Sequence, residues 1–430
     1  MRMMTVLCLT ILFSWLTFAA VRQSRTAADA AMPTVAVLAP AKVSPDWNQY
    51  RGPARDNLSS EKGLAEKWPA GGPERLMTIT GLGEGYSTIS LVGETMYTMG
   101  NIDGAEYVIA VDRNSGAIAW KTRSGNEYKD GTGNGPRGTP TVVDGKVYGL
   151  GGNGDLTCCD GATGAIVWKK NILQEFGGSN IVWGISESVL IDEGKLICTP
   201  GGSDATVVAL DPASGAVIWK SQVPEQPQAG YASPVVTTIG KVRQYVIFTS
   251  KGICGVRAKD GHPLWGQNAS SNPTANCATP IVVDQFVFSS SDYGKGAELV
   301  ELKPKGDETI AKQVYFTKDM KNHHGGMILL DGVVYGSSGD ILTCVDLNTG
   351  KIKWRERSMK GSIVYADQKI VFRHENGAVV LFAADSKEYR ELGRFDQSDR
   401  SDKPAWAHPV ISGGKLYLRD MDKLLVYDLK

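Results

Sequence analysis

An eleven-residue unit recurs along this chain and constrains its fold more than any other feature. Ala110-Val-Asp112-Arg-Asn-Ser-Gly116-Ala-Ile-Ala-Trp120 returns as Ala209-Leu-Asp211-Pro-Ala-Ser-Gly215-Ala-Val-Ile-Trp219. It returns from Cys158 to Trp168 with Asp160 and Gly164, and from Cys344 to Trp354 with Asp346 and Gly350. A weaker copy ends at Trp265; it keeps Gly261 but carries Arg257 in the Asp position. Successive tryptophans are 48, 51 and 46 residues apart, and the next interval, 89, holds two periods. A degenerate copy is therefore expected between them, ending near Phe316. A repeat of this period marks a solenoid, a propeller or an array, in which one unit cannot bury its own faces.

The unit has readable chemistry. Its Asp can accept hydrogen bonds from the backbone of the following turn, with help from Ser or Thr. Its Gly supplies the positive φ of a tight hairpin. Its Trp ends an outer strand and can pack between neighbouring units. Upstream of each copy stand two alternating runs joined by turn residues, most clearly Thr141-Val-Val-Asp-Gly-Lys-Val-Tyr-Gly-Leu150, with Asp144-Gly145 as a two-residue hairpin turn. Each unit therefore reads as a four-stranded antiparallel sheet. The units fall at 86–122, 135–170, 183–221, 230–267, 276–317, 323–357, 361–395 and 405–430. The last stops at Lys430, where its outer strand should begin. Glu74-Arg-Leu-Met-Thr-Ile-Thr80 precedes the first unit without a unit of its own. If that N-terminal strand completes the last sheet, the ring closes and no edge stays open. The expected fold is all-β, an eight-bladed β-propeller over residues 74–430.

The pattern A-x-D-x-x-T/S-G-x-x-x-W resembles the tryptophan-docking motif of pyrroloquinoline-quinone (PQQ) repeat propellers, the superfamily of quinoprotein alcohol dehydrogenases and BamB-like proteins. Trp47-Asn-Gln-Tyr50-Arg51-Gly52-Pro53 also resembles the W-x-x-F/Y-R-G-P opening of secreted, planctomycete-type members. The resemblance implies one of two functions. One is a non-catalytic scaffold of the cell envelope that binds a protein or an envelope polymer. The other is a small PQQ-dependent dehydrogenase, with PQQ and Ca²⁺ at the axis, that oxidises an alcohol or sugar. The chain is shorter than the dehydrogenases, and no counterpart of their calcium set or catalytic Asp is recognisable. Neither is the lipid-acceptor Cys of the BamB-type lipoprotein. The non-catalytic reading is the first expectation.

Composition excludes other classes. Lys plus Arg equals Asp plus Glu, 46 each, so nothing favours nucleic acid or an anionic membrane as partner. Arg2, the apolar run Val6–Val21 and the small residues Ala27–Ala31 read as an export signal over residues 1–31, which places the protein in the periplasm or outside the cell. An uncleaved anchor is the alternative and would be the one membrane contact. Residues 32–73 then form an extension packed on the ring, with Arg51 and Arg55 clamping it there. Cys158-Cys159 stands inside a repeat strand. Adjacent strand residues point to opposite faces, which disfavours a disulfide between them.

In a propeller, ligands gather where the segments leading into the innermost strands converge. Those segments bring Tyr86, Arg137, Trp183, Tyr231, Asn276, His323, His324, Trp406 and His408 to equivalent places, and three of the five histidines are among them. Arg137 could hold a carboxylate or phosphate. Trp183, Tyr231 or Trp406 could stack on a planar ring. His324 and His408 could act as acid–base groups or metal ligands. No carboxylate is evident beside them in the sequence, so no metal site is expected, and Glu187 is the one acidic residue near a lead-in segment.

Overall fold

The computed structural model describes residues 46–430, so the export-signal reading lies outside the described residues. The described residues form eight antiparallel sheets of four strands, one of which carries a short fifth strand. Blade 1 comprises Ser90–Val92, Thr95–Ile102, Ala105–Asp112 and Ile118–Asn126. Each later blade repeats this meander. Blade 5, Ile281–Val283 to Glu308–Thr317, and blade 7, Gly361–Ala366 to Glu391–Asp396, lack the tryptophan but keep the strands. No helix of the described residues is long and apolar enough to cross a membrane.

The repeat motif forms the turn and outer strand of each blade. Asp112 Oδ1 accepts Ser115 N and Ser115 Oγ, both at 2.7 Å, and Asp160 and Asp346 hold Thr163 and Thr349 in the same way. Where Arg257 replaces the Asp, Asp260 accepts His262 N at 3.2 Å and pairs with the Arg257 guanidinium at 2.9 Å. Each tryptophan then reaches forward to the next blade. Trp120 Nε1 donates to Gly161 O at 3.1 Å, Trp168 to Pro212 O at 2.8 Å, Trp219 to Ala258 O at 3.1 Å and Trp354 to Asp385 O at 2.8 Å. The indole lies on the turn glycine of that blade: Trp120 on Gly164, Trp168 on Gly215, Trp219 on Gly261. The degenerate fifth copy ends one residue earlier than the sequence suggested. Tyr315 pairs across the bulge with Leu299, as Trp120 does with Ala110, and it lies against Gly350 with its hydroxyl on Leu347 O at 2.6 Å. Trp265 turns back instead and donates to Gln244 Oε1 of its own blade at 2.6 Å.

The ring closes as the sequence implied. Arg75–Ile79 pairs antiparallel with Lys423–Asp428 and becomes the outer strand of blade 8. Met77 and Ile79 take the tryptophan's place against Gly116 of blade 1. One apolar cluster joins Ile109 and Val111 of blade 1, Leu416, Leu418 and Leu425 of blade 8, and Val371 and Leu381 of blade 7. The buried guanidinium of Arg419 adds polar ties across the closure, to Thr98 Oγ1 at 2.9 Å and Gly83 O at 2.8 Å. Cys158 and Cys159 are free thiols on opposite faces of their strand, one in the cluster toward blade 3 and the other in the cluster toward blade 1.

Residues 46–59 run along the inside of the ring, and residues 61–68 pass outward to the outer strand of blade 7, where Trp68 N donates to Leu392 O at 3.1 Å. Trp47 bridges Leu91, Asn48 pairs with Val142, and Leu58–Ser59 adds a parallel strand to Gly361–Ala366. At the apex of this segment Arg51 and Arg55 are 2% and 4% exposed. Arg51 donates to Met327 O of blade 6 at 2.6 Å, and Arg55 donates to Val189 O and Ser188 O beside blade 3 at 3.0 and 2.5 Å. Buried guanidinium groups need such partners, because an unpaired buried charge costs several kcal/mol or more.

Candidate functional site

Successive strands of a blade run in opposite directions. The lead-in to strand one and the turn between strands two and three therefore open on the same end of the ring. Side chains from both kinds of segment meet there. Tyr86 and Trp406 have ring centroids 4.7 Å apart, and Trp406 is 5.5 Å from His324. His324 lies 5.1 Å from His323, which lies 5.3 Å from Tyr293. On the other flank the Arg137 guanidinium covers Tyr86 at 5.4 Å and Tyr128 at 4.5 Å. Tyr128 donates to Val182 O at 2.6 Å, next to Trp183, and Trp183 packs 5.8 Å from Tyr231. The result is an aromatic rim drawn from seven blades and the segments that join them.

Two further sequence-selected residues lie below or beside that rim. His408 is buried; its Nε2 contacts His324 O at 2.9 Å and Tyr50 Oη at 3.3 Å, so it meets the apex of the N-terminal segment. Asn276 is buried and directs its amide to Thr249 O at 2.9 Å, Ser271 Oγ at 2.9 Å and Asn272 O at 3.2 Å. That amide shapes its own loop and ties it to the second strand of blade 4.

Sequence reasoning missed Tyr128, Tyr293 and Glu375. Glu375 corrects the expectation that the histidines lack a carboxylate neighbour. It stands in the turn after Lys369–His374 of blade 7, where its Oε1 accepts Trp406 Nε1 at 2.9 Å and lies 3.5 Å from His324 Nδ1. Glu375 is more than fifty residues from His324 in sequence. A scan of the turns between second and third strands would have found it, since those turns share the end of the ring with the lead-in segments. Glu187 is buried instead, with Oε1 on Thr199 N at 2.6 Å.

Charge at the rim follows burial. Desolvation pushes His323 down to about 4, with Lys360 adding to the fall, and His408 down to about 4; it holds His324 well below its ordinary 6.5. All three imidazoles are therefore neutral at pH 7. Arg137 is spoken for: Nη2 donates to Gly133 O at 2.8 Å, Nη1 donates to Gly135 O, and Asp130 stands 3.8 Å away.

PQQ with Ca²⁺ makes specific demands on a site of this kind. Calcium takes about six to eight oxygen ligands, mostly carboxylates and carbonyls. The donors that converge at this rim are two imidazoles and one carboxylate, Asn276 is committed to Thr249 O and to its own loop, and Arg137 is committed to two carbonyls. The set does not fit that pair.

The repeat and the ring define a PQQ-like-repeat β-propeller. Residues 104–356, more than half of the chain, match the family model described as outer membrane protein assembly factor BamB, and the chain belongs to that family. The fold is similar to BamB from Moraxella catarrhalis, with 18% identity and a TM-score of 0.57 over 83% of this chain and 98% of that one. It is similar to quinohemoprotein alcohol dehydrogenase from Comamonas testosteroni, with 14% identity and a TM-score of 0.60 over 90% of this chain and 80% of that one. A computationally designed protein, Ika8, is similar at 10% identity and a TM-score of 0.55, over 87% of this chain and 99% of that one. No curated protein matches the chain.

Proposed function

We propose that this protein is an exported, non-catalytic propeller that binds a protein or an envelope polymer at the aromatic rim of its axis. One observation carries the reading. The polar side chains best placed to hold a ligand at the axis are here bonded to the protein itself, Arg137 to Gly133 and Gly135 and Asn276 to Thr249 O and Ser271 Oγ, while the aromatic faces remain at the rim. Aromatic side chains with an apolar body and a polar tip are favoured at binding surfaces. Val182, next to Trp183, is 71% exposed and extends that surface. The BamB family description supports an envelope role among proteins. The alternative, a small dehydrogenase using PQQ and Ca²⁺, shares the fold alone.

Purified protein titrated with PQQ and Ca²⁺ is expected to show no quinone-type absorbance change and no dye-linked oxidation of alcohols or sugars. A photo-crosslinking residue placed at Val182 in the producing cells is expected to give a discrete adduct. That adduct should weaken when Trp183 and Trp406 are both changed to Ala. Quinone uptake with alcohol or sugar oxidation would overturn the reading in favour of the dehydrogenase.

A further inference from the structure

We infer that His323, His324 and Glu375 form a binding site for a divalent transition-metal ion of the zinc class. This goes beyond the scaffold reading, and neither depends on the other. The three side chains come from two blades, and one ligand atom of each lies within 4.8 Å of the other two. The Nδ1 atoms of the two imidazoles are 2.8 Å apart, and His324 Nδ1 is 3.5 Å from Glu375 Oε1. Neighbouring ligands on a tetrahedral zinc ion with bonds of about 2.0–2.2 Å stand about 3.3–3.6 Å apart. Two edges of the triangle therefore lie within about half an ångström of that spacing, and the third, between His323 and Glu375, lies within 4.8 Å.

The protons of the pair bear on the same point. His324 Nε2 is buried without a hydrogen-bond partner, so every polar contact of that ring's nitrogens runs through Nδ1. A neutral imidazole carries one proton. With that proton on His324 Nε2 and the His323 proton on its own Nε2, two lone pairs and a carboxylate oxygen face one another across the cluster. A cation between them turns that repulsion into coordination. The alternative is metal-free: His324 Nδ1–H donates to His323 Nδ1, and the rings share one proton.

The surroundings have the form of a supported ligand set. His323 Nε2 faces Tyr293 Oη at 3.1 Å, and Trp406 Nε1 holds Glu375 Oε1 at 2.9 Å. Such outer hydrogen bonds orient metal ligands and set their basicity. Lys360 acts against a cation here, and Asp292 acts in its favour at His323. The chain backbone is held close behind the ligands. A Cβ on Gly325 would lie 1.7 Å from Gly361 O, so only glycine lets the His-His segment run against blade 7. Two nitrogens and one carboxylate suit zinc or its neighbours over Ca²⁺ or Mg²⁺. The His324 and Glu375 side chains are 15% and 24% exposed, so the cluster is not sealed from solvent.

The test is a titration of chelator-treated, full-length protein with Co²⁺, followed by visible absorbance, and with Zn²⁺, followed by competition with a chromophoric chelator. One equivalent is expected to bind. His324→Ala and the near-isosteric Glu375→Gln are each expected to weaken binding at least tenfold, and Trp406→Phe several-fold, because it removes the bond that positions Glu375. His262→Ala, at an exposed histidine 3.4 Å from Glu308, should leave affinity unchanged. X-ray absorption at the zinc edge of the unaltered protein should count two imidazole nitrogens, which needs no variant to fold. Failure to bind one equivalent, full affinity in either ligand variant, or an edge spectrum without imidazole would overturn the site.

Discussion

At the scale of single residues, the molecule depends on a ring pressed against a glycine. Gly261 has a φ of +77°, and a Cβ there would lie 2.5 Å from Cε3 of Trp219. Gly63 has a similar φ of +71° with nothing within 4 Å. Both pay the backbone strain of an alanine in the left-handed region, about 1 kcal/mol or slightly more. Only Gly261 adds overpacking against an indole that is itself hydrogen-bonded to Ala258 O. Gly261→Ala is therefore expected to destabilise the protein by about 1–3 kcal/mol more than Gly63→Ala does. Urea denaturation of the two variants side by side measures that difference, and equal costs would refute the docking argument. The five Gly–Trp copies were legible in the sequence because the motif is local. Tyr315 was not, since a tyrosine in place of tryptophan is recognised only once its register opposite Leu299 is seen.

At the scale of the element, one strand does the closing. Arg75–Ile79 alternates outward and inward: Leu76 is 44% exposed, while Ile79 is 3% exposed in the cluster shared by blades 7, 8 and 1. Ile79→Ala removes buried carbon at the seam and is expected to cost about 2–5 kcal/mol. Leu76→Ala, in the same strand, is expected to cost less than about 0.5 kcal/mol. Thermal unfolding of both variants checks this; similar melting temperatures would show that the strand does not hold the seam. The strand could be assigned from sequence by elimination, because a blade lacked its outer strand and a strand lacked its blade. The path of residues 46–59 could not. Its contacts, Arg51 to Met327 O and Asn57 to Ile363 O, join residues hundreds of positions apart, and no local periodicity encodes them.

At the scale of the whole molecule, blades are tied by buried polar groups as well as by apolar surface. Glu106 of blade 1 is fully buried and accepts Gly152 N of blade 2 at 3.0 Å. Burial pushes its carboxyl up to about 7 from an ordinary 4.5, against the lowering effect of that hydrogen bond and of Arg137. Between pH 4.5 and 7 the folded state then holds a proton that the unfolded state has lost. Stability from this group is accordingly lost as pH rises through that window and is level above it. Glu106→Gln removes the group's titration. Measured against the unaltered protein, the variant should gain relative stability on going from pH 5 to pH 8, by about 1–3 kcal/mol. Urea midpoints across that range test it, and a difference independent of pH would show that Glu106 is ionised in its cleft.

The chain's local code was enough to determine the class of sheet, the number of blades and the strand that completes the last one. Those features rest on periodicity and turn chemistry, which act over tens of residues, and on the requirement that no blade be left with an open edge, which pairs the one spare strand with the one incomplete blade. The make-up of the axial rim was decided only by the closed ring. Closure sets Glu375 beside His324, Tyr293 beside His323 and Tyr50 beneath His408. These partners come from different blades, or from the N-terminal segment. Their distances depend on how every blade between them twists and packs, which no single stretch of sequence specifies.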